Sequence, residues 1–173
     1  MRTKELTLIA VLVSILVVSQ FALSIVVGLN LVFPLLIIYT YNLGLKKGLI
    51  ITYIFILVRF LLGLPILVVV LWGWTFTILV VLAYLVSVVT RKNEYVAALY
   101  TFLYFILFGF LCGVQEYFLT EVPIYVYWLR GVPTDLLGAT AGFVTTVILM
   151  SPLTNVIKYF NESLELNRAT SLK

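Results

Sequence analysis

The chain has 173 residues, 64% of them hydrophobic and only 10% charged, with a mean hydropathy of +1.20 and a net charge of +4. No water-soluble domain of this size tolerates such a composition on its surface, so the composition predicts an integral membrane protein. Its apolar runs approach or exceed the roughly 20 residues of a spanning helix, which excludes barrel strands of roughly 10 alternating residues.

The expected fold is an all-α integral membrane protein, one domain over residues 1–173 with six transmembrane helices and both termini cytoplasmic. Span one covers 6–27, after a short charged head, Met1-Arg2-Thr3-Lys4-Glu5. It is too long for a signal-peptide core and lacks a small-x-small cleavage pattern, so it is expected to remain in the membrane. Ala10 and Ser14, four apart, share a helix face on which another helix could lie close. Gly28-Leu29-Asn30 forms the return, and span two, 31–43, carries Pro34 early, where its missing donor costs little.

Gly44-Leu45-Lys46-Lys47-Gly48 reads as a tight cytoplasmic turn. The spacing of a phosphate loop, GxxxxGK[ST], is absent here and throughout the chain. Span three, 47–62, places Arg59 roughly 20 Å from that turn, either in a site or snorkelling to the outer headgroups. Gly63-Leu64-Pro65 turns the chain into span four, 66–89, with Trp72, Trp74 and Thr77 near its outer end. These tryptophans read as interfacial anchors or as stacking surfaces for a flat ring.

Arg91-Lys92-Asn93-Glu94 leads into span five, 95–118, which holds Gly109-xxx-Gly113 and then Gln115 and Glu116. An ionisable group among apolar neighbours usually faces a bundle interior or a wet cavity. The alternative is that Glu116 marks the water interface, with Tyr117 and Tyr125 as an aromatic belt. Span six, 133–157, is expected to begin at Pro133, with Thr134 and Asp135 at the helix start, either lining a pocket or satisfying free backbone donors. Its next turn, Gly138, Ala139, Ala141 and Gly142, is nearly bare and must press on a neighbour. Ser151-Pro152 kinks or ends it.

Charge supports this topology. Arg2, Lys4, Lys46, Lys47, Arg91, Lys92, Lys158, Arg168 and Lys173 fall on the side of the termini, and only Arg59 and Arg130 on the other. The same threading gathers Asn30, Arg59, Trp72, Trp74, Gln115, Glu116, Arg130, Thr134 and Asp135 at the outer end as a candidate substrate pocket. Histidine is absent and Cys112 is the sole cysteine, so cysteine or histidine metal clusters and histidine triads are excluded. Scattered cytoplasmic acids (Glu5, Glu94, Glu162, Glu165) argue against an enzyme.

The length, six hydrophobic spans, the Ala10-xxx-Ser14 face, the Gly44 to Gly48 turn and the Pro133-Thr134-Asp135 opening of a glycine-rich last span resemble one family. It is that of the S components, the substrate-binding subunits of energy-coupling-factor vitamin transporters. Ser14 departs from that family's Ala-xxx-Ala. The resemblance implies a multi-pass protein of the bacterial cell membrane that binds a vitamin or precursor with high affinity and has no cofactor of its own. Its partners would be the lipid bilayer, the vitamin, a transmembrane T component docked at Ala10 and Ser14, and two cytoplasmic ATPase subunits that use the ATP; nucleic acid is not among them. In that family the S component topples in the membrane to deliver its ligand.

Tryptophan, amide and carboxyl groups favour a small polar aromatic ligand, such as a hydroxymethylpyrimidine thiamine precursor or a pyridoxine-like compound. Two other classes fit the composition. One is a structural cell-shape membrane protein of the MreD type, needing no pocket. The other is a proton-coupled small-solute carrier built on Glu116, needing no ATPase.

Overall fold

The computed structural model describes the backbone of residues 3–23 and 30–170 and the side chains of residues 5–23 and 30–160. The described residues form helices and short turns: α1 Thr3–Ala22, α2 Val32–Leu61, α3 Ile66–Val89, α4 Glu94–Thr120 and α5 Ile124–Thr170. Four helical stretches, Glu5–Ala22, Ile66–Val89, Glu94–Thr120 and Ile124–Phe160, are long and apolar enough to cross a membrane. The expected end of span one at 24–27, the Gly28-Leu29 return and the side chains of Arg2, Lys4, Arg168 and Lys173 lie outside the described residues.

Helix α2 is two arms folded back at Gly44, whose φ of 80° and ψ of 174° only glycine adopts readily. Beyond it the chain reverses. A β-carbon on Gly48 would stand 2.8 Å from Thr40 Oγ1. Phe33 and Phe55, equally far from the turn in sequence, both reach Phe76, at 5.6 and 6.4 Å between ring centroids. Gly44→Ala is expected to cost about 1–3 kcal/mol through backbone strain alone, since nothing lies within 4 Å of the added carbon. Gly73→Ala, equally free of neighbours but inside α3, is the control, and equal melting temperatures for the two variants would contradict the strain argument.

The arms differ from the spans expected at 31–43 and 47–62. At about 1.5 Å per residue the first, 32–43, extends only ~18 Å and the second, 45–61, ~26 Å, against a hydrocarbon core of ~30 Å. Every residue from Val32 to Tyr41 is buried. A helix that is apolar all round belongs in an interior, and here that interior is the bundle: the first arm is its core.

That core is aromatic. The Phe33 ring meets Phe76, Tyr104, Phe105 and Phe108 at 4.8–5.6 Å. Trp72 stacks on Phe55 and Phe76 at 5.8 and 5.2 Å. Two tyrosines of α4 donate to backbone acceptors on α3: Tyr104 to the Thr75 carbonyl (2.5 Å) and Tyr100 to that of Leu79 (2.9 Å).

Helix α4 packs most extensively on α5. The reason is bare backbone: a β-carbon at Gly113 would lie 3.1 Å from the Ile124 carbonyl, and one at Gly142 2.5 Å from the Phe105 ring. Thr101 and Thr146 share a buried hydrogen bond of 2.9 Å at the same seam. The last helix begins earlier than the expected 133, so Pro133 and Pro152 both lie inside α5 and the expected outer loop is largely helix.

Two ends of the bundle are chemically distinct. At one, Lys47 pairs with Glu5 (3.3 Å), Asn42 donates to Thr154 (3.0 Å), and Arg91 and Lys92 form the turn between α3 and α4. The start of α1 and Lys158 of α5 share this basic end. The opposite end carries the turns at 62–65 and 121–123.

Candidate functional site

The pocket residues expected at the outer end divide into separate environments. Gln115 and Glu116 are adjacent on α4, so their side chains leave the helix about 100° apart. Gln115 turns to α3, where Trp74 Nε1 donates to its Oε1 (3.3 Å) and its Nε2 donates to the Leu67 carbonyl (3.1 Å). Beside this pair lies an apolar groove of about 430 Å³ lined by Leu67, Val70, Trp74, Val114, Phe118 and Leu119. The amide of Gln115 is therefore a strap between α3 and α4 as well as the polar point of the groove.

Asp135 turns to the other side of α4. It does not cap a helix start, because α5 already runs from Ile124 and the carboxyl group meets no free first-turn donors. It instead lies over Gly109, where a β-carbon would collide with Oδ2, and beside Gly131. Gly109 sits ~16 Å along the axis from the end of α4, so Asp135 is held at hydrocarbon depth. Its Oδ2 is buried and has no hydrogen-bond partner. One turn along α4, a β-carbon at Gly113 would lie 3.5 Å from the Tyr127 ring.

Between α4 and α5 the bare backbone at Gly109 and Gly113 is covered by Asp135 and by Ile124 and Tyr127. This seam holds one buried acceptor oxygen without a donor, Asp135 Oδ2, which can take a hydrogen bond or a proton. Among the described residues no group of His, Cys, Asp and Glu could hold a metal ion.

Other expected site residues lie elsewhere. Trp72 is stacked in the aromatic core and does not line the Trp74 groove, because it is about 200° around α3 from Trp74. Asn30 accepts from the Val32 N–H (2.8 Å) and so satisfies a free donor at the start of α2. Arg59 holds its guanidinium over the Phe21 ring at 4.2 Å, tying α2 to α1, and its buried Nε has no hydrogen-bond partner. Arg130 and Thr134 are exposed on α5. Glu116 is half-buried and accepts from Thr120 one turn on (3.3 Å).

Tyr127, beside Gly113 at the same seam, escaped the sequence reading; it is eight residues from Asp135, about two turns back along α5. Ala10 and Ser14 face outward on α1, with Ser14 Oγ donating to its own helix at the Ala10 carbonyl (2.8 Å), while Leu8, Ile9, Leu12, Val13 and Leu16 face the core. Comparison of the chain with protein-family models, with curated proteins and with solved structures finds no match.

Proposed function

We propose that this chain is the high-affinity substrate-binding subunit of an ATP-driven vitamin or vitamin-precursor importer, similar to the S components of energy-coupling-factor transporters. In this reading it crosses the bacterial plasma membrane six times, the short first arm of α2 returning inside the bundle, with the basic end and both termini in the cytoplasm. The observation that carries the reading is Asp135, a carboxyl group at membrane depth whose buried oxygen lacks a donor. Intramembrane acids of this kind mark solute or ion sites. A small polar aromatic ring with an exocyclic N–H or O–H supplies the missing donor, and Trp74 with Gln115 forms a second polar point on the outer side.

The outward small-residue face of α1 supports docking of a transmembrane partner that belongs to a shared ATPase module. Ala10→Leu together with Ser14→Leu is expected to cut uptake by at least tenfold while solute binding by the isolated protein is unchanged. Normal uptake by that variant removes the docking assignment.

The same carboxyl group favours a second reading, a proton-coupled carrier, with Asp135 rather than Glu116 as the proton-bearing group. Deleting the ATPase partners separates the two: uptake stops in the first and persists, sensitive to a protonophore, in the second. The direct test is mass spectrometry of small molecules released from protein purified in mild detergent. A stoichiometric vitamin-like compound is expected; no released compound, with no thermal shift from a vitamin panel, leaves a structural role instead.

A further inference from the structure

A second cavity, of about 310 Å³, lies at the basic end between α2, α4 and α5. Its wall is built from Asn42, Lys92, Ser151, Thr154, Asn155 and Lys158 beside Met150, with Glu94 as its one acidic group. Nothing in the candidate solute site uses it, and it stands at the opposite end of the bundle. Two lysines, two hydroxyls and two amides line one volume.

The charges there are uncommitted. Neither Lys92 nor Lys158 forms an ion pair with a described residue, although Glu94 lines the same cavity. Two lysines against one glutamate leave a net positive charge. Asn42 and Thr154 are already bonded to each other across α2 and α5, at 3.0 Å, which fixes the floor. The turn that carries Lys92 is also fixed, since the Lys92 N–H donates to the Ser87 carbonyl (3.0 Å) and that of Asn93 to Thr90 (3.2 Å).

Lysine is a point-charge ligand for phosphate, and hydroxyls supply further donors to its oxygens. The volume is near the lower bound of ligand pockets, roughly 300 Å³, which suits a phosphate with a short polyol and excludes acyl chains. In a membrane-embedded bundle the cavity falls where the helices leave the hydrocarbon. Basic pockets between helices at that level hold anionic headgroups.

We propose that this cavity binds a phosphate ester through Lys92 and Lys158, and that its source is the headgroup of an anionic phospholipid whose chains lie outside the bundle. The site depends on membrane embedding and not on the transport reading.

Native mass spectrometry of the full chain released from phosphatidylcholine nanodiscs containing phosphatidylglycerol tests it. Wild type is expected to retain phosphatidylglycerol in preference to phosphatidylcholine. Lys92→Gln with Lys158→Gln is expected to reduce that occupancy at least tenfold, whereas Lys46→Gln with Lys47→Gln, at the same end but outside the cavity, leaves it unchanged. Glycerol phosphate is the second probe. Binding of it that depends on Lys92 and Lys158, without retention of phosphatidylglycerol, keeps the phosphate site and transfers its source to a soluble ester. Equal occupancy by the two lipids together with no lysine-dependent binding of glycerol phosphate overturns the site.

Discussion

Asp135→Asn is expected to make the protein more stable and functionally empty. A carboxylate at the centre of a membrane helix costs about 2.5–3.5 kcal/mol, and this one recovers little through its buried oxygen, which has no hydrogen-bond donor. Asparagine keeps the shape and part of the polarity, so the gain is about 1–2 kcal/mol, roughly 2–8 °C in melting temperature for a chain of this size. Solute affinity moves in the opposite direction. A hydrogen bond to a charged acceptor contributes about 1.5–3 kcal/mol, so its loss weakens binding by roughly ten- to a hundredfold.

The two readouts, thermal unfolding and ligand retention in detergent, discriminate the possibilities for this residue. A lower melting temperature means that the carboxyl group holds the α4–α5 seam together. An unchanged affinity removes Asp135 from the solute site, whatever the stability does. Gly109→Ala is a milder form of the same experiment, since its β-carbon displaces the carboxyl group without removing it.

The largest loss of stability is expected at Phe33. Its ring meets four others from α3 and α4, is 1% exposed, and belongs to an arm with no lipid-facing residue from Val32 to Tyr41. Truncation to alanine leaves a cavity at the junction of three helices and is expected to cost about 3–5 kcal/mol. Aromatic edge-to-face geometry, as in the pairs with Phe76 and Tyr104, adds to the volume effect. Leu103→Ala on the outer face of α4 is the comparison, because Leu103 is 55% exposed and its truncation opens no internal void. If Phe33→Ala melts within a degree or two of Leu103→Ala, the aromatic core is not what holds the arms of α2 in place.

The sequence by itself determined the helical class, the membrane setting and the turns at Gly44, at 62–65 and at Arg91-Lys92-Asn93, but not the start of the last helix, which lies at Ile124 and not at 133. Composition and run length suffice for the first two, since a surface so poor in charge can face only lipid. Turn positions are legible because Gly44 and the Arg91-Lys92-Asn93 run break apolar periodicity with residues of special backbone or charge. That α4 and α5 each carry a close-packing face was also legible, from Gly109, Gly113 and the bare stretch 138–142, because small residues at helical spacing permit backbone approach; that the two helices pack on each other was not.

Tertiary structure decided which apolar helix faces lipid and which is enclosed. Uniform hydrophobicity is the same signal in both cases, so the fully buried arm Val32–Tyr41 and a lipid-facing span read alike. It also decided azimuth. Gln115 and Glu116, or Trp72 and Trp74, are neighbours in sequence at the same depth, yet each pair divides between different partners, because each residue advances the helix by about 100°. Depth along a membrane axis is written in the sequence by run length and charge. The direction in which a side chain leaves its helix is fixed only when a particular neighbour, such as the bare backbone at Gly109 beneath Asp135, takes its place against it.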